Sequence, residues 1–342
     1  MSPMSDVQPL LEQLYRGQSL SREQAQSLFQ PLVAGELSEI TIGALLVALK
    51  IKGETIDEIS GAADALLAAA KPFPATGAGV IDIVGTGGDG FNTINISTTS
   101  CFVAATAGAK VAKHGNRGVS SKSGASDLLS ALGINLTMAP ETAAKCLNEL
   151  NISFLFAPHY HGGVRHAVPV RQTLKTRTIF NVLGPLINPS KPDYMLLGVY
   201  SPELVAPIAG VLKALGVKRA IVAHGSGLDE IAVHGESLLA ELKDGEIREY
   251  RMQPEDFGVE RATIEQLVGG TPEDNAAITQ QILAGTATEA QTNAVAVNAG
   301  TALYVASVSD TIPAGVALAK QVMASGKAVA LVEKLAQASN QG

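Results

Sequence analysis

The chain has 342 residues, 46% of them apolar, with 34 glycines and a formal net charge of −7. That length supports one large domain with a smaller companion, and the composition is that of a globular α/β chain rather than a disordered one. Trp is absent and aromatics make up only 4%, which argues against stacking platforms for single strands, and the acidic balance argues against general nucleic-acid binding.

The N-terminus, MSPMSDVQPLLEQL, lacks the basic start and apolar core of a signal peptide. The first 70 residues read as helical. Ser21 with Gln24 and Thr55 with Glu58 fit capping boxes, in which a hydroxyl and the side chain three residues on satisfy free N–H groups. The apolar run IGALLVAL at 42–49 is too short to span a bilayer and stops at Lys50. KPFPATGAG (71–79), with its prolines and glycines, ends the helices and reads as a hinge.

Beyond it the pattern changes. GVIDIV (79–84) is a short β-branched strand, and KVAKH (110–114), ISFLFAP (152–158), YMLLGVY (194–200) and RAIVAHG (219–225) are further strands. They alternate with helical stretches at 98–108, 140–150 and 202–215, the pattern of a largely parallel sheet. LLAELKDGEIREYRM carries a two-residue hairpin turn at Asp244-Gly245, so the sheet is mixed. Residues 272–338 are Ala-rich and helical. The fold class is therefore α/β: a small N-terminal helical domain (1–72), a hinge (73–80), and a large α/β domain (81–342) with a mostly parallel, mixed sheet. Cys101 and Cys146 sit in apolar surroundings without metal-ligand spacing and read as reduced core thiols of a cytoplasmic protein.

Three segments carry chemistry. GTGGDG (85–90) follows the first strand and literally satisfies the dinucleotide fingerprint, but such a site wants an acid about 20 residues on. No Asp or Glu lies between Asp89 and Asp127; Lys110 and Lys113 stand there instead. A polar run, Asn95 to Thr98, opens the next helix. Then comes KVAKHGNRGVSSKSGASD (110–127), basic and rich in small residues within an acidic chain. A solvated loop could look like this. With a glycine turn and a polar helix start close by, at the carboxyl ends of neighbouring strands, a ligand with more than one phosphate is the better reading.

GTGGDGFNTINIST, KHGNRGVSSKSGASD, PVRQTLKTRTIFNVLGPLINP and GLDE together resemble the anthranilate phosphoribosyltransferase family, over nearly the whole chain. The resemblance implies transfer of the phosphoribosyl group of 5-phosphoribosyl 1-pyrophosphate to the anthranilate amine in tryptophan biosynthesis. It also implies a nucleoside phosphorylase-like architecture in which helices from about 163–183 join the N-terminal domain. Gly85, Gly88, Asp89, Thr93, Asn95, Ile96, Ser97 and Thr98 would hold the donor. Lys113, His114, Gly115, Asn116, Arg117, Gly118, Val119, Ser120 and Ser121 would close over it, Lys113 and Arg117 supplying charge. Family members often carry Ser where this chain has Ala125, so a contact there would come from backbone. Gly85, Asn116 and Arg171 would hold anthranilate, with Pro185 in the channel wall. His161 could line the entrance or be structural, and Arg165, Arg177, His159 and His166 are close in sequence. Ser97, Asp229 and Glu230 would bind Mg2+, two ions per subunit, and the helical domain would form a homodimer. No residue is cast as a nucleophile, since a cationic sugar and a departing pyrophosphate need charge and positioning. Two rivals share the architecture: a pyrimidine nucleoside phosphorylase, which lacks KHGNR, and a non-catalytic nucleic-acid-binding paralogue, which should lose GTGGD or the carboxylates and gain positive charge.

Overall fold

The structure is a computed structural model that describes residues 3–118 and 122–341. Four helices open it: Pro3–Tyr15 (α1), Arg22–Ala34 (α2), Glu39–Lys52 (α3) and Ile56–Ala68 (α4). Both expected capping boxes are present, at Ser21/Gln24 and Thr55/Glu58. Glu58 also accepts the Lys52 ammonium at 2.8 Å and the Leu20 N–H at 2.9 Å, so this buried cap ties three segments together.

The segment 71–79 contains no helix or strand. After it come Val80–Gly85 (β1), Ile96–Thr106 (α5), Lys110–Gly115 (β2), Ala125–Ala131 (α6), Pro140–Leu150 (α7) and Ile152–Phe156 (β3). The short helices Ala157–Tyr160 (α8), Val168–Leu174 (α9) and Phe180–Leu186 (α10) lead to Tyr194–Gly198 (β4), Val205–Ala214 (α11) and Arg219–Gly225 (β5). The hairpin Ser237–Lys243 (β6) and Glu246–Met252 (β7) turns at Asp244 and Gly245, both at positive φ (52° and 79°), as the Asp-Gly pair predicts. Four helices close the chain: Pro272–Leu283 (α12), Glu289–Val305 (α13), Ile312–Ala324 (α14) and Lys327–Ser339 (α15).

The sheet has seven strands in the order β3-β2-β1-β4-β5-β6-β7, parallel from β3 to β5, with β6 antiparallel to both of its neighbours, β5 and β7. Alternation along each strand separates two cores. Ile81, Ile83 and Leu196 pack with α5, α7 and α12–α15 on one face. Val84, Met195 and Leu197 pack on the other face with α9–α11, in one continuous core that includes α1–α4. Cys101 and Cys146 are free and buried, as expected.

Candidate active site

The strand order reverses between β1 and β4: the chain leaves β1 toward β2 and β3, then returns to β4 and continues the other way. In such sheets the crevice at the carboxyl ends of those two strands is where ligands bind. The glycine turn sits there, with Gly87, Gly88 and Gly90 all at positive φ (69°, 78° and 85°), backbone that other residues adopt only under strain.

Across this crevice folds the segment that follows β5. Asp229 Oδ2 accepts the Gly87 N–H at 2.6 Å, and Glu230 Oε1 accepts the Ser97 N–H at 3.1 Å. The glycine turn, the start of α5 and the expected metal pair thus meet. Asn298 of α13, wholly buried, fixes the next residue: its amide oxygen accepts the Ile231 N–H and its amide nitrogen donates to the Ile231 carbonyl, each at 3.0 Å. Ser237 Oγ accepts the Ala232 N–H at 3.0 Å. The close passage needs missing side chains. A Cβ on Gly85 would press on the Asp229 carboxylate, one on Gly198 would overlap the Asp229 carbonyl, and one on Gly225 would lie 2.5 Å from the Ala232 nitrogen.

Gly198→Ala is therefore expected to push the Asp229-Glu230 backbone away from the strand ends. Overpacking of this kind costs about 1–3 kcal/mol, and a 1 Å displacement of catalytic groups costs roughly 100-fold in rate. Steady-state kinetics with a melting curve would check this. Wild-type turnover in the variant would show that the pair need not sit where it does.

Burial pushes the carboxyl groups of both Asp229 and Glu230 upward from the ordinary range, reinforced by Asp89 beside the first and by Asp229 beside the second. Neither forms an ion pair among the described residues. Adjacent buried carboxylates with no paired cation fit a divalent ion. No group of three His, Cys, Asp or Glu residues among the described residues could hold one unaided. That suits Mg2+, which takes one or two carboxylates and completes its shell with phosphate and water.

Lys113 lies elsewhere than an open clamp would place it. It is only 2% exposed, and its ammonium donates to the Ile83 carbonyl and, at 3.3 Å, to Ser97 Oγ. It is a buried charge beneath the crevice beside Glu230, whose charged form it favours. Arg117 is exposed and pairs with Asp127 at 3.4 Å. The same Asp127 accepts the N–H groups of Gly118 (2.9 Å) and Gly124 (3.0 Å), so one carboxylate holds both ends of the basic loop. Val119, Ser120 and Ser121 lie outside the described residues. The two cations should accordingly behave differently. Lys113→Ala removes a buried donor and should lower both donor affinity and melting temperature, the hydrogen-bond loss alone being about 1–3 kcal/mol. Arg117→Ala breaks an exposed ion pair worth about 0–1 kcal/mol, so it should weaken only the donor. Isothermal binding and melting curves on both variants separate these outcomes, and equal stability losses would contradict the assignment.

Asn95 occupies the cap position of α5 but makes no cap hydrogen bond with its side chain. Its amide donates to the Ser123 carbonyl at 3.0 Å and its oxygen accepts from Asn275 Nδ2 at 2.8 Å, which joins the basic loop to α12. Ile96 and Thr98, also expected at the donor, are both buried. Ile96 packs in the core and its N–H is bound to the Ile94 carbonyl. The half-buried Ser97 is the exposed part of this turn. Asp89 Oδ1 accepts the Phe91 N–H at 3.0 Å and shapes the glycine turn. Thr93 bridges Val268. Ala125 is the first residue of α6, beside Gly115.

Arg171 of α9 is half-buried with its guanidinium 5.3 Å from the Phe180 ring centre, and burial lowers its pKa. It has no ion-pair partner among the described residues. Arg177 stacks on Tyr200 at 3.9 Å and donates to the Gly88 carbonyl, so it braces the glycine turn. His114 is buried, donating from Nδ1 to the Gly184 carbonyl at 3.0 Å. His161 donates from Nε2 to the Ile187 carbonyl at 2.7 Å, which is a structural role. Asn116 stays exposed at the end of β2. Gly198, Gly225, Asn275 and Asn298 were not legible as site residues. Only Gly198, a lone glycine inside the apolar run YMLLGVY, gave any signal.

Fold and crevice together define a glycosyl transferase: residues 8–70 match the helical bundle domain of the glycosyl transferase family and residues 77–329 its a/b domain. Over 340 residues the chain is 66% identical to the anthranilate phosphoribosyltransferase of Shewanella sp. (strain W3-18-1), covering 98% of each. Its structure is similar to that of the Thermus thermophilus anthranilate phosphoribosyltransferase, with TM-score 0.93 and 43% identity over 96% of this chain and 99% of that one. The Saccharomyces cerevisiae enzyme, solved in complex with PRPP and Mg, superimposes with TM-score 0.90 at 25% identity, covering 99% of both chains. The chain belongs to the anthranilate phosphoribosyltransferase family. The phosphorylase and nucleic-acid-binding readings find no support in these relatives.

Proposed function

We propose that the crevice between β1 and β4 transfers the phosphoribosyl group of 5-phosphoribosyl 1-pyrophosphate to the amine of anthranilate, releasing pyrophosphate. The observation that carries this is the Asp229-Glu230 pair, held by hydrogen bonds against the glycine turn and the start of α5. Ser97, Asp229 and Glu230 would hold Mg2+, two ions per subunit, which when bound neutralises charge building on the pyrophosphate. The chain's own residues do the rest. The glycine turn brings backbone N–H groups close to the donor, Lys113 sets positive charge beneath it, and the loop held by Asp127 covers it. Arg171 and Asn116 orient the acceptor, Arg171 presenting a planar fork to the anthranilate carboxylate. With donor and acceptor positioned, no protein nucleophile is required. The test is loss of anthranilate fluorescence that depends on both the donor and Mg2+. Loss that persists without either would exclude this reaction.

Residues 1–72 with the helices of about 163–183 form one domain in this reading, joined through 73–80 to the α/β domain. Their shared core supports it. The outer face of α3 carries Ile40 (86% exposed) and Ile51 (80% exposed), eleven residues apart and so on one side of the helix, with Ala44 and Val47 between. Such an apolar stripe supports a homodimer through the helical domain, which sedimentation of Ile40→Asp with Ile51→Asp would test. The family's biosynthetic role supports a cytoplasmic location.

A further inference from the structure

β1 and β2 pair as strands at only two positions, Val80 with Lys110 and Ile81 with Val111. Beyond these, β2 keeps its ladder with β3 as far as Gly115 opposite Phe156, while its other edge parts from β1. Side chains fill the opening. Asp82, wholly buried in β1, accepts the His114 N–H at 3.3 Å (Oδ1) and 3.4 Å (Oδ2), and Asn188 Nδ2 at 2.8 Å. The same Asn188 nitrogen donates to the Ala112 carbonyl at 2.8 Å. Asn188 Oδ1 in turn accepts the Ser190 N–H (2.9 Å) and Ser190 Oγ (2.7 Å). His114 Nδ1 closes the circuit on the Gly184 carbonyl.

Asp82 forms no ion pair among the described residues, and burial pushes its carboxyl up to about 7 despite the nearby Lys113. A buried charge adds little net stability and is attested chiefly as a device that selects one arrangement over others. Here the arrangement is specific. One end of the circuit is the tip of β2, which continues into the basic loop. The other is the end of α10, Gly184 to Asn188, the helix whose first residue, Phe180, carries the Arg171 guanidinium on its ring.

We propose that Asp82 and Asn188 are positioning residues for the transfer reaction, fixing the tip of β2 and the end of α10 in one register so that donor and acceptor meet at the right separation. This rests on the activity proposed above. Wild-type protein is therefore assayed first: absence of donor-dependent anthranilate consumption would fail that reading, not this one. With wild-type activity in hand, kcat/KM for each substrate is measured with the melting temperature for Asp82→Asn, Asn188→Ala, the double variant and Ser190→Ala. Asp82→Asn turns an amide toward two donors, and each of the first two variants is expected to lose about ten-fold or more in kcat/KM for both substrates. The double variant should fall little below the worse single one, because both act through one contact. Ser190→Ala removes only the hydroxyl that orients Asn188, should fold as wild type, and should lower both values by about two- to five-fold. A lower melting temperature with unchanged kinetics, a loss confined to one substrate, or additive losses in the double variant would each overturn the proposal. So would unchanged kinetics in Ser190→Ala, even if the buried variants failed to fold.

Discussion

Asp229→Asn combined with Glu230→Gln is expected to lower turnover by orders of magnitude while leaving the protein folded. The side chains change little in size, and both positions retain an oxygen to accept the Gly87 and Ser97 N–H groups that the carboxylates accept now. What disappears is charge. In the absence of a divalent ion these two carboxylates are buried side by side, and burial, with Asp89 beside Asp229 and Asp229 beside Glu230, raises the cost of ionising them. Two neutral amides remove that cost, so the variant should melt no lower than wild type in chelator. Added Mg2+ should then stabilise wild type, particularly with the donor present, and leave the variant nearly unmoved. Activity should recover only in part at high Mg2+. Near-normal turnover at low Mg2+ would remove this pair from the metal site.

Arg171→Ala is expected to raise the anthranilate KM by about ten-fold or more, on a scale of ~1.5–3 kcal/mol for a hydrogen bond to a charged group. The geometry favours a ligand contact over a structural one. The guanidinium is half-buried and packs on the Phe180 ring, and no carboxylate of the described residues pairs with it. Burial without a counter-charge is unfavourable for the free protein. Its removal should therefore change the melting temperature little, and an incoming carboxylate would satisfy it. Arg171→Lys should restore only part of the affinity, because an ammonium cannot present two parallel donors. The donor KM should move much less, since its proposed contacts lie on the glycine turn and the basic loop. Aniline, which lacks the carboxylate, should be a poor acceptor for wild type and nearly indifferent to the substitution. An equal loss with both acceptors would mean that Arg171 holds the fold or the donor.

The sequence alone determined what short-range chemistry can encode. A hydroxyl and a carboxamide or carboxylate three residues apart satisfy the same helix end wherever they occur, so the boxes at Ser21 and Thr55 were readable and are present. Asp-Gly tolerates positive φ, so the turn between β6 and β7 was readable too. Apolar runs marked the parallel strands, because strands covered on both faces need no alternation. The glycine turn and the basic loop announced a phosphate ligand by composition, and the family resemblance supplied its identity.

What the tertiary structure decided is everything that depends on residues remote in sequence. Lys113 was expected to supply charge from the basic segment, and only the structure shows its ammonium buried against the Ile83 carbonyl of β1 and Ser97 of α5. Asn95 opens a helix, but Ser123 and Asn275, the second 180 residues away, take its side chain. Asp82 was an unexplained charge within an apolar strand until Asn188 arrived, 106 residues on. Gly198 and Asn298 became part of the site only because the chain reverses between β1 and β4 and carries Asp229 back across the strand ends. No local pattern specifies such meetings: propensity and periodicity act over one or two turns, whereas burial and hydrogen-bond satisfaction are settled by which segments the sheet order brings together.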